Sequence, residues 1–123
     1  MIYGIGIDII RIDRMKEIVE KWGDRFLNRV FTKAEITYCY KKKNPYLSLA
    51  VRFAAKEALI KAVGYEIPIS LTDIEVISTD NGKPFLKLKG KLDIYLKTSS
   101  INNAYLSMSH EREYGVACVV LEK

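Results

Sequence analysis

The first strand of the chain is predicted by an alternation of side chains over residues 2–10. Successive side chains of a strand point to opposite faces, so the alternation separates two sets of residues. One set is bulky and apolar and consists of Tyr3, Ile5, Ile7 and Ile9. The other set has few side-chain atoms and one carboxylate, and its members are Gly4, Gly6, Asp8 and Ile10. The strand face that they form is almost bare. Two glycines weaken a strand unless something must approach its backbone closely. The empty space beside a carboxylate therefore suggests a ligand or a metal ion on this face.

Two helices are then indicated by residues that favour helix ends. Asp13 is expected to cap a first helix, which Gly23 ends. Thr32 and Glu35 have the spacing of a capping box, which predicts a second helix over about 32–42. The three lysines at the end of that segment suit the C-terminal end of a helix, where positive charge is favoured.

The longest predicted helix begins at Asn44-Pro45 and runs through Val63 to Gly64. Asparagine is a favoured capping residue, proline is tolerated in the first helical turn, and glycine commonly ends a helix. Small side chains on this helix allow a close approach to a sheet, and they are the alanines at positions 50, 54, 55, 58 and 62. We expect this helix to be the central one.

In the second half of the chain the spacing of apolar residues changes to that of strands. Asn81-Gly82 is a strong signal for a hairpin between two short strands. A short helix over 91–97 and two final strands, over 104–109 and 115–121, complete the chain. This order predicts a single α+β domain over 1–123, with a largely antiparallel sheet packed against the long central helix.

Composition narrows the class of protein. The 123 residues are 49% apolar and 28% charged, close to the values of soluble globular domains. These values exclude a disordered tail, a fibre and a scaffold held by disulfides. The net charge is +5, and residues 11–43 carry ten basic and five acidic side chains, a surplus equal to that of the whole chain. This surplus indicates either an ordinary solvated face or a docking surface for an acidic partner.

Cysteines and targeting signals agree with a cytoplasmic location. Cys39 and Cys118 lack the spacing of zinc ligands, and we expect small core residues of a reducing compartment. No basic segment precedes an apolar run at the N-terminus, and no apolar stretch approaches the roughly 18 residues of a membrane span. We therefore expect no membrane partner.

Two carboxylates are candidate metal ligands. Asp8 lies on the bare face of the first strand, and Glu57 lies between two apolar arcs of the central helix. Asp8 is either such a ligand or a cap for the turn into the first helix. Burying an unpaired carboxylate is costly, so Glu57 needs a partner. One interpretation pairs Glu57 with Lys61 one turn on; the other has Asp8 and Glu57 share a Mg²⁺ ion while Lys61 faces substrate phosphates.

Other charged residues permit simpler interpretations. Arg52 and Lys56 are expected to face solvent, since helical geometry puts them opposite the apolar arcs. His110 is the only histidine, and a lone histidine is more often a structural hydrogen-bonding group than a catalyst. Lys83 follows the hairpin turn and is either a phosphate contact or an ordinary exposed lysine. Glu35 is explained by the capping box, so we assign it no chemistry.

Several segments together resemble the motifs of a known enzyme family. The two main ones are Gly4-Ile5-Gly6-Ile7-Asp8-Ile9-Ile10 and Arg52-Phe53-Ala54-Ala55-Lys56-Glu57-Ala58, the second followed by Lys61-Ala62 and Gly64. Further similar blocks are Phe31-Thr32 with Glu35, Asn81-Gly82-Lys83-Pro84 and Ser109-His110. In this order, and across nearly the whole chain, they resemble the holo-[acyl-carrier-protein] synthases, the small 4′-phosphopantetheinyl transferases of fatty-acid synthesis.

The resemblance implies a fold of the 4′-phosphopantetheinyl transferase type and a reaction. The 4′-phosphopantetheine arm of coenzyme A would pass to a serine of apo acyl carrier protein, with release of adenosine 3′,5′-bisphosphate. Asp8 and Glu57 would hold Mg²⁺, and Lys61 and His110 would join them in catalysis. The general base stays open between Glu57, His110 and a water on the cation. The residues implied to contact coenzyme A are Arg52, Lys61, Gly64, Lys83, Pro84, Ser109 and His110.

The resemblance also implies partners. It predicts a homotrimer with active sites between neighbouring subunits, and an acidic acyl carrier protein that docks on the first helix. The residues implied in docking are Arg14, Lys21 and Arg25. Some positions depart from the family pattern: Arg11 stands where many relatives have Glu, and Glu111 follows His110. Ile10 stands where larger relatives carry a third acid, so a water is expected to fill that coordination position.

Two other classes of function compete with the transferase. A small basic RNA-binding module would place aromatic and basic residues on one sheet face, and the chain has eight tyrosines. A metal-dependent phosphohydrolase would use the same two carboxylates and need no carrier protein. The sequence contains no known RNA-binding motif, so we expect no nucleic-acid partner.

Overall fold

The computed structural model describes residues 1–123, which form nine helices and strands in the predicted order. They are β1 (Ile2–Arg11), α1 (Ile12–Val30), α2 (Lys33–Tyr40), α3 (Pro45–Val63), β2 (Ile74–Ser78), β3 (Pro84–Leu88), α4 (Gly90–Thr98), β4 (Asn103–His110) and β5 (Tyr114–Glu122). A single 3₁₀ turn, Leu71–Asp73, precedes β2. None of the helices has the length and apolar character that crossing a membrane requires.

All strand pairs are antiparallel, but the strands form two sheets. A three-stranded sheet has the order β1-β5-β4, and β2 pairs with β3 in a separate hairpin. The hairpin turns at Asn81-Gly82 as predicted, with Gly82 at φ 84°, a backbone angle that glycine adopts without strain. The α+β class is confirmed, and two sheets replace the expected one because β3 makes no ladder with β4.

The inner face of the three-stranded sheet packs against α3. This face consists of Gly4, Gly6, Asp8 and Ile10 of β1 with Gly115, Ala117, Val119 and Leu121 of β5. A Cβ atom at Gly4 would meet the carbonyl oxygen of Ala62, and one at Gly6 would meet the carbonyl oxygen of Ala58. The glycines are therefore needed because the helix backbone itself lies on the strand. The interpretation of the bare face as space for a ligand is wrong at these two positions, since α3 fills it.

The ends of α2 and α3 lie where their capping residues predict. The backbone N–H of Glu35 donates to Oγ1 of Thr32 at 3.2 Å, and the N–H of Thr32 donates to Oε1 of Glu35 at 2.9 Å. Oδ1 of Asn44 accepts from the N–H of Leu47 at 3.3 Å, which caps α3. Gly64 ends α3 with φ 93°, in the left-handed region.

The prediction for α1 is wrong at its start and confirmed at Gly23, but it missed a second helical segment beyond that glycine. The helix begins at Ile12, and Asp13 pairs with Arg11 at 2.8 Å, so it does not cap the helix. Gly23 ends the first helical segment, with φ 58° and ψ −140°, and a second helical segment follows beyond this kink and ends at Val30. A glycine in the left-handed region can therefore mark a kink between two helical segments as well as a helix end.

A charged side chain of α3 lies in the interior, contrary to expectation. Lys56 is fully buried, and its Nζ donates to Oε1 of Glu35 at 2.6 Å and to the carbonyl oxygens of Val30 and Leu71 at 2.7 and 3.0 Å. Burial lowers the pKa of Lys56, and the carboxylate of Glu35 acts in the opposite direction. The helix pattern misplaced Lys56 because α3 is covered on both sides, by the sheet and by α2 with the 3₁₀ turn.

The outer face of the three-stranded sheet is apolar and open to solvent. It consists of Ile5, Ile7 and Ile9 of β1, Val116, Cys118 and Val120 of β5, and Tyr105, Ser107 and Ser109 of β4. The three isoleucines expose 61%, 61% and 63% of their surface. A contiguous apolar patch of this kind marks an interaction surface.

Candidate active site

Asp8 and Lys61 meet where β1 runs beside the last turns of α3. Nζ of Lys61 donates to Oδ1 of Asp8 at 3.0 Å and to the carbonyl oxygen of Ile7 at 2.9 Å. The hydrogen bond to Asp8 raises the pKa of Lys61. Asp8 therefore caps no turn, and the partner of Lys61 is Asp8 rather than Glu57.

Glu57 completes a cluster of two carboxylates and one ammonium group. The side chain of Glu57 is half-buried, and this burial raises its pKa. The charge of Asp8 raises the pKa of Glu57 further, while Lys61 lowers it. Two carboxylates that repel each other in a partly buried place favour a cation between them. The structure thus brings together the residues that sequence reasoning singled out in two separate elements.

The cluster fits a magnesium ion whose remaining ligands come from elsewhere. The structure gathers no group of three or more His, Cys, Asp or Glu side chains that could hold a metal. Mg²⁺ is usually held by one or two carboxylates together with substrate phosphates and waters. Asp8 and Glu57 offer that number of carboxylates, and the buried Ile10 beyond Asp8 offers no further ligand.

A second group of polar residues lies where the N-terminal half of α3 meets the β2–β3 hairpin. Arg52 is buried, and it donates from Nη2 to Oγ of Ser78 at 2.9 Å and from Nη1 to the carbonyl oxygen of Ser48 at 3.3 Å. Its guanidinium carbon lies 4.3 Å from the ring centre of Tyr38. Its Nε has no hydrogen-bond partner. The expectation that Arg52 faces solvent is wrong, because α2 and the hairpin cover it.

The hairpin places Lys83 and Pro84 beside Arg52. Ser78, which binds Arg52, pairs with Pro84 across the hairpin, and the exposed Lys83 directly precedes Pro84. Gly64 lies at the other end of α3, just beyond Lys61. The predicted coenzyme A residues of α3 and the hairpin are therefore spread along one helix, from Arg52 to its C-terminal end.

Ser109 and His110 lie at the end of β4 and line one cavity of about 280 Å³ with Ile9 and Val116. Ser109 pairs with Val116 on the outer face of the sheet, whereas Asp8 lies on the inner face. β5 lies between β4 and β1, so at roughly 4.8 Å per strand the two strands are about 10 Å apart. Within one chain the sheet therefore separates both residues from Asp8.

The predicted docking residues Arg14, Lys21 and Arg25 are all exposed on α1. Next to them is a groove of about 370 Å³, lined by Trp22, Arg25, Phe26 and Arg29. Sequence reasoning missed the aromatic part of this groove. Helix spacing could not have shown it, because Trp22 and Phe26 lie on either side of Gly23, where the helical path is broken.

Comparison with known proteins agrees with the motifs in the site. The family model of the 4′-phosphopantetheinyl transferase superfamily matches residues 4–119. The holo-[acyl-carrier-protein] synthase of Halothermothrix orenii is 50% identical over 124 residues, covering 100% of this chain and 99% of that protein. The holo-[acyl-carrier-protein] synthase of Chlamydia muridarum is 48% identical over 121 residues, covering 98% of this chain and 94% of that protein.

Solved structures show the same architecture over the whole length. The holo-[acyl-carrier-protein] synthase of Neisseria meningitidis superposes with a TM-score of 0.92 at 38% identity, covering 100% of both chains. That of Helicobacter pylori, in complex with coenzyme A, superposes with a TM-score of 0.84 at 31% identity, covering 96% of this chain and 99% of that chain. The chain therefore belongs to the 4′-phosphopantetheinyl transferase superfamily and, within it, to the holo-[acyl-carrier-protein] synthases.

Proposed function

We propose that this chain transfers the 4′-phosphopantetheine group of coenzyme A to a serine of apo acyl carrier protein for fatty-acid biosynthesis. The curated relatives bear the name of this activity, and a solved relative binds coenzyme A. The observation that carries the proposal is the cluster of Asp8, Glu57 and Lys61, in which two separate family motifs meet. The other product is adenosine 3′,5′-bisphosphate.

The chemistry needs charge and positioning more than a nucleophile. The serine oxygen of the carrier protein bonds to the phosphorus next to pantetheine, and the bond from that phosphorus to the bridging oxygen breaks. Such transfers depend on orientation and on neutralising the phosphate oxygens. Asp8 and Glu57 would hold Mg²⁺, which when bound would supply positive charge to the pyrophosphate. Lys61 adds a second positive charge beside it, and for the serine proton the chain offers Glu57 and His110 as bases.

Positive charge for the far end of coenzyme A comes from the hairpin side of α3. Arg52 is buried with an unpartnered Nε, and a buried donor without an acceptor supports the presence of an anionic ligand nearby. Lys83 is exposed on the adjoining turn and free to meet a phosphate. We also assign to the coenzyme A surface Gly64, Pro84, Ser109 and His110.

The position of Ser109 supports a site shared between copies of the chain. Ser109 is on the outer face and Asp8 is on the inner face, so one coenzyme A reaches both most directly if they come from different copies. The outer face is also the large apolar patch that needs a cover. We therefore propose a homotrimer in which the outer face of each copy packs on its neighbours.

The partner protein is expected to dock on α1. Arg14, Lys21 and Arg25 present positive charge there, and the groove beside them adds Trp22 and Phe26 as apolar contacts. Such a surface complements an acidic acyl carrier protein, because opposite charges steer association while apolar contacts hold the complex.

The free cysteines support a cytoplasmic location. Cys39 and Cys118 form no disulfide, and proteins of reducing compartments typically keep their thiols free. Burial raises the pKa of Cys39 to about 11, so its thiol stays protonated and unreactive.

Mass spectrometry of the carrier protein tests the proposal. Apo acyl carrier protein incubated with the chain, coenzyme A and Mg²⁺ is expected to gain the mass of one 4′-phosphopantetheine group, and a chelator should prevent the gain. If several carrier proteins gain no mass, the proposal is wrong. Release of inorganic phosphate without carrier protein would instead support a phosphohydrolase.

Substitution of the two carboxylates tests the assignment of the site. Asp8→Ala and Glu57→Ala are each expected to slow the transfer at least ~100-fold, because the charge that positions the cation is lost. Asp93→Ala is the matched control, since Asp93 forms an ion pair with Lys97 on the surface of α4. A rate for Asp8→Ala or Glu57→Ala as high as that of Asp93→Ala would remove the residue from the site.

A further inference from the structure

Lys61 forms an ion pair with Asp8, one of the two carboxylates that a metal ion would need. Its Nζ is 3.0 Å from Oδ1 of Asp8, which is close enough for a charge-assisted hydrogen bond. The Asp8 side chain is only 18% exposed, so the pair is partly shielded from water. A divalent cation bound to Asp8 and Glu57 would lie near this ammonium group and be repelled by it. Lysine and cation therefore compete for the same oxygen.

Lys61 has the freedom to leave Asp8. Its side chain is 41% exposed and has a flexible stem of four carbons. Its ammonium group has three protons, and one of them is held by the carbonyl oxygen of Ile7 at 2.9 Å. Ile7 lies on β1, which is an edge strand of its sheet. Lys61 can therefore turn away from Asp8 while its bond to the Ile7 carbonyl is kept.

We propose that Lys61 is a place-holding cation, which neutralises Asp8 in the empty enzyme and gives up this position when the metal ion binds. The released ammonium group then turns, still tethered to the carbonyl of Ile7, toward the anionic substrate. This inference rests on the proposed function, because it takes Asp8 and Glu57 as the metal ligands. It adds that metal binding makes a lysine available for the phosphates, so that the metal and coenzyme A assist each other's binding.

The first test measures metal affinity without coenzyme A. Mn²⁺ is titrated into the full-length protein and the free ion is followed by electron paramagnetic resonance. Lys61→Met is expected to bind Mn²⁺ about three- to tenfold more tightly than the wild type, because the competitor is gone. Lys91→Met removes an exposed charge on α4 and should leave the affinity unchanged. Unchanged or weaker binding of Mn²⁺ by Lys61→Met would overturn the proposal.

The second test measures coupling between the two ligands. Calorimetry gives the affinity for coenzyme A with and without Mn²⁺, and the ratio of the two is the coupling factor. Lys61→Met should lower this factor, because no lysine is released to the phosphates. If Lys61→Met binds Mn²⁺ more tightly but its coupling factor is as large as that of the wild type, Lys61 only repels the cation. This result would overturn the proposal that Lys61 moves to the phosphates.

The two proposals fail in different ways. If Lys61→Met gives both expected results but the wild-type protein modifies no apo carrier protein, the proposed function is contradicted and the exchange of lysine for metal is supported. A wild-type protein that modifies carrier protein, with a Lys61→Met variant that binds Mn²⁺ no better, contradicts only the exchange. Thermal unfolding of Lys61→Met should match that of the wild type, since the side chain lies at the surface.

Discussion

The buried ammonium group of Lys56 donates hydrogen bonds to three protein oxygens, which take the place of water. The carboxylate of Glu35 is one of them, and the carbonyls of Val30 and Leu71 are the others. Such a burial is tolerated because each of the three protons has an acceptor. The pair joins α3 to the start of α2 and to the 3₁₀ turn, next in sequence to Glu57 of the candidate site.

The free energy of unfolding should be sensitive to this pair. Lys56→Met leaves the carboxylate of Glu35 buried without its cation, and we expect a loss of about 3–5 kcal/mol in urea denaturation. Lys91→Met, at an exposed position, should change stability by less than about 0.5 kcal/mol. Glu35→Leu alone should also destabilise the fold, because the N–H groups of Thr32 and Val76 lose their acceptor. The double variant Lys56→Met/Glu35→Leu should lose less than the sum of the losses of Lys56→Met and Glu35→Leu. If those two losses simply add, the charges do not stabilise each other.

Glu75 gives the fold a defined response to acid. The hydroxyl group of Thr32 donates to Glu75, and Lys89 lies 3.3 Å from it; both lower the pKa of Glu75 below its ordinary value of 4.5. Ionised Glu75 therefore stabilises the fold at neutral pH, and this contribution is lost as the pH falls from about 4.5 through the lowered pKa. Glu75→Gln should flatten the fall in urea midpoint below about pH 5. An equal flattening by Glu113→Gln, at an exposed position, would contradict this role.

At the level of elements, the contact between β1 and α3 positions the candidate site. Gly6 lies against the carbonyl oxygen of Ala58, and Asp8 follows two residues later on the same face. Any side chain at Gly6 must push the strand and the helix apart. The separation of Asp8 from the site residues on α3 therefore depends on a position that itself has no functional group.

A methyl group at Gly6 is the direct test. We expect Gly6→Ala to lower the free energy of unfolding by about 3 kcal/mol, because the added carbon would overlap a backbone oxygen that cannot move alone. Gly82→Ala, in the open hairpin turn, should lower it by about 1–2 kcal/mol through backbone strain only. A Gly6→Ala variant as stable as Gly82→Ala would mean that the two elements separate at little cost.

The sequence predicts these elements well where the signals are local. The caps at Thr32, Asn44 and Gly64 are confirmed, because a cap depends on residues within one turn of the helix end. Lys56 and Arg52 were misplaced, because their partners on other elements cannot be identified from helix periodicity. The glycines of β1 were rightly recognised as making room for a close approach, but nothing local says that a helix backbone makes it.

At the level of the whole molecule, the outer face of the sheet is an apolar surface that no other part of the chain covers. Its apolar residues point away from the single core of the chain, and the predicted alternation of β1 already separates them from the inner face. Which of the two faces packs on α3 did not follow from that alternation. The sequence also could not show that Ser109 and Asp8 lie on opposite faces of the sheet. This arrangement depends on how the strands pair, which the alternation within one strand does not reveal.

If copies of the chain associate through the outer face as proposed, a charge on that face should separate them. We expect Ile7→Glu to give a folded monomer in analytical ultracentrifugation with little transferase activity, because a carboxylate is costly inside an apolar interface. Ile94→Glu is the matched control, since Ile94 on α4 is 65% exposed against 61% for Ile7. An Ile7→Glu protein that sediments like the wild type and like Ile94→Glu would place the interface elsewhere.

The contact of β1 with α3 also bears on how such an enzyme can diverge. Gly4 and Gly6 on one side and Ala58 and Ala62 on the other leave no room for a larger side chain, so substitutions there disturb fold and chemistry together. The groove on α1 and the β2–β3 turn are exposed and lie on other elements. In the proposed function, changes of carrier-protein preference can therefore accumulate on α1, and changes of coenzyme A contacts on the turn, without touching the two carboxylates. Natural variation and laboratory selection should both concentrate there.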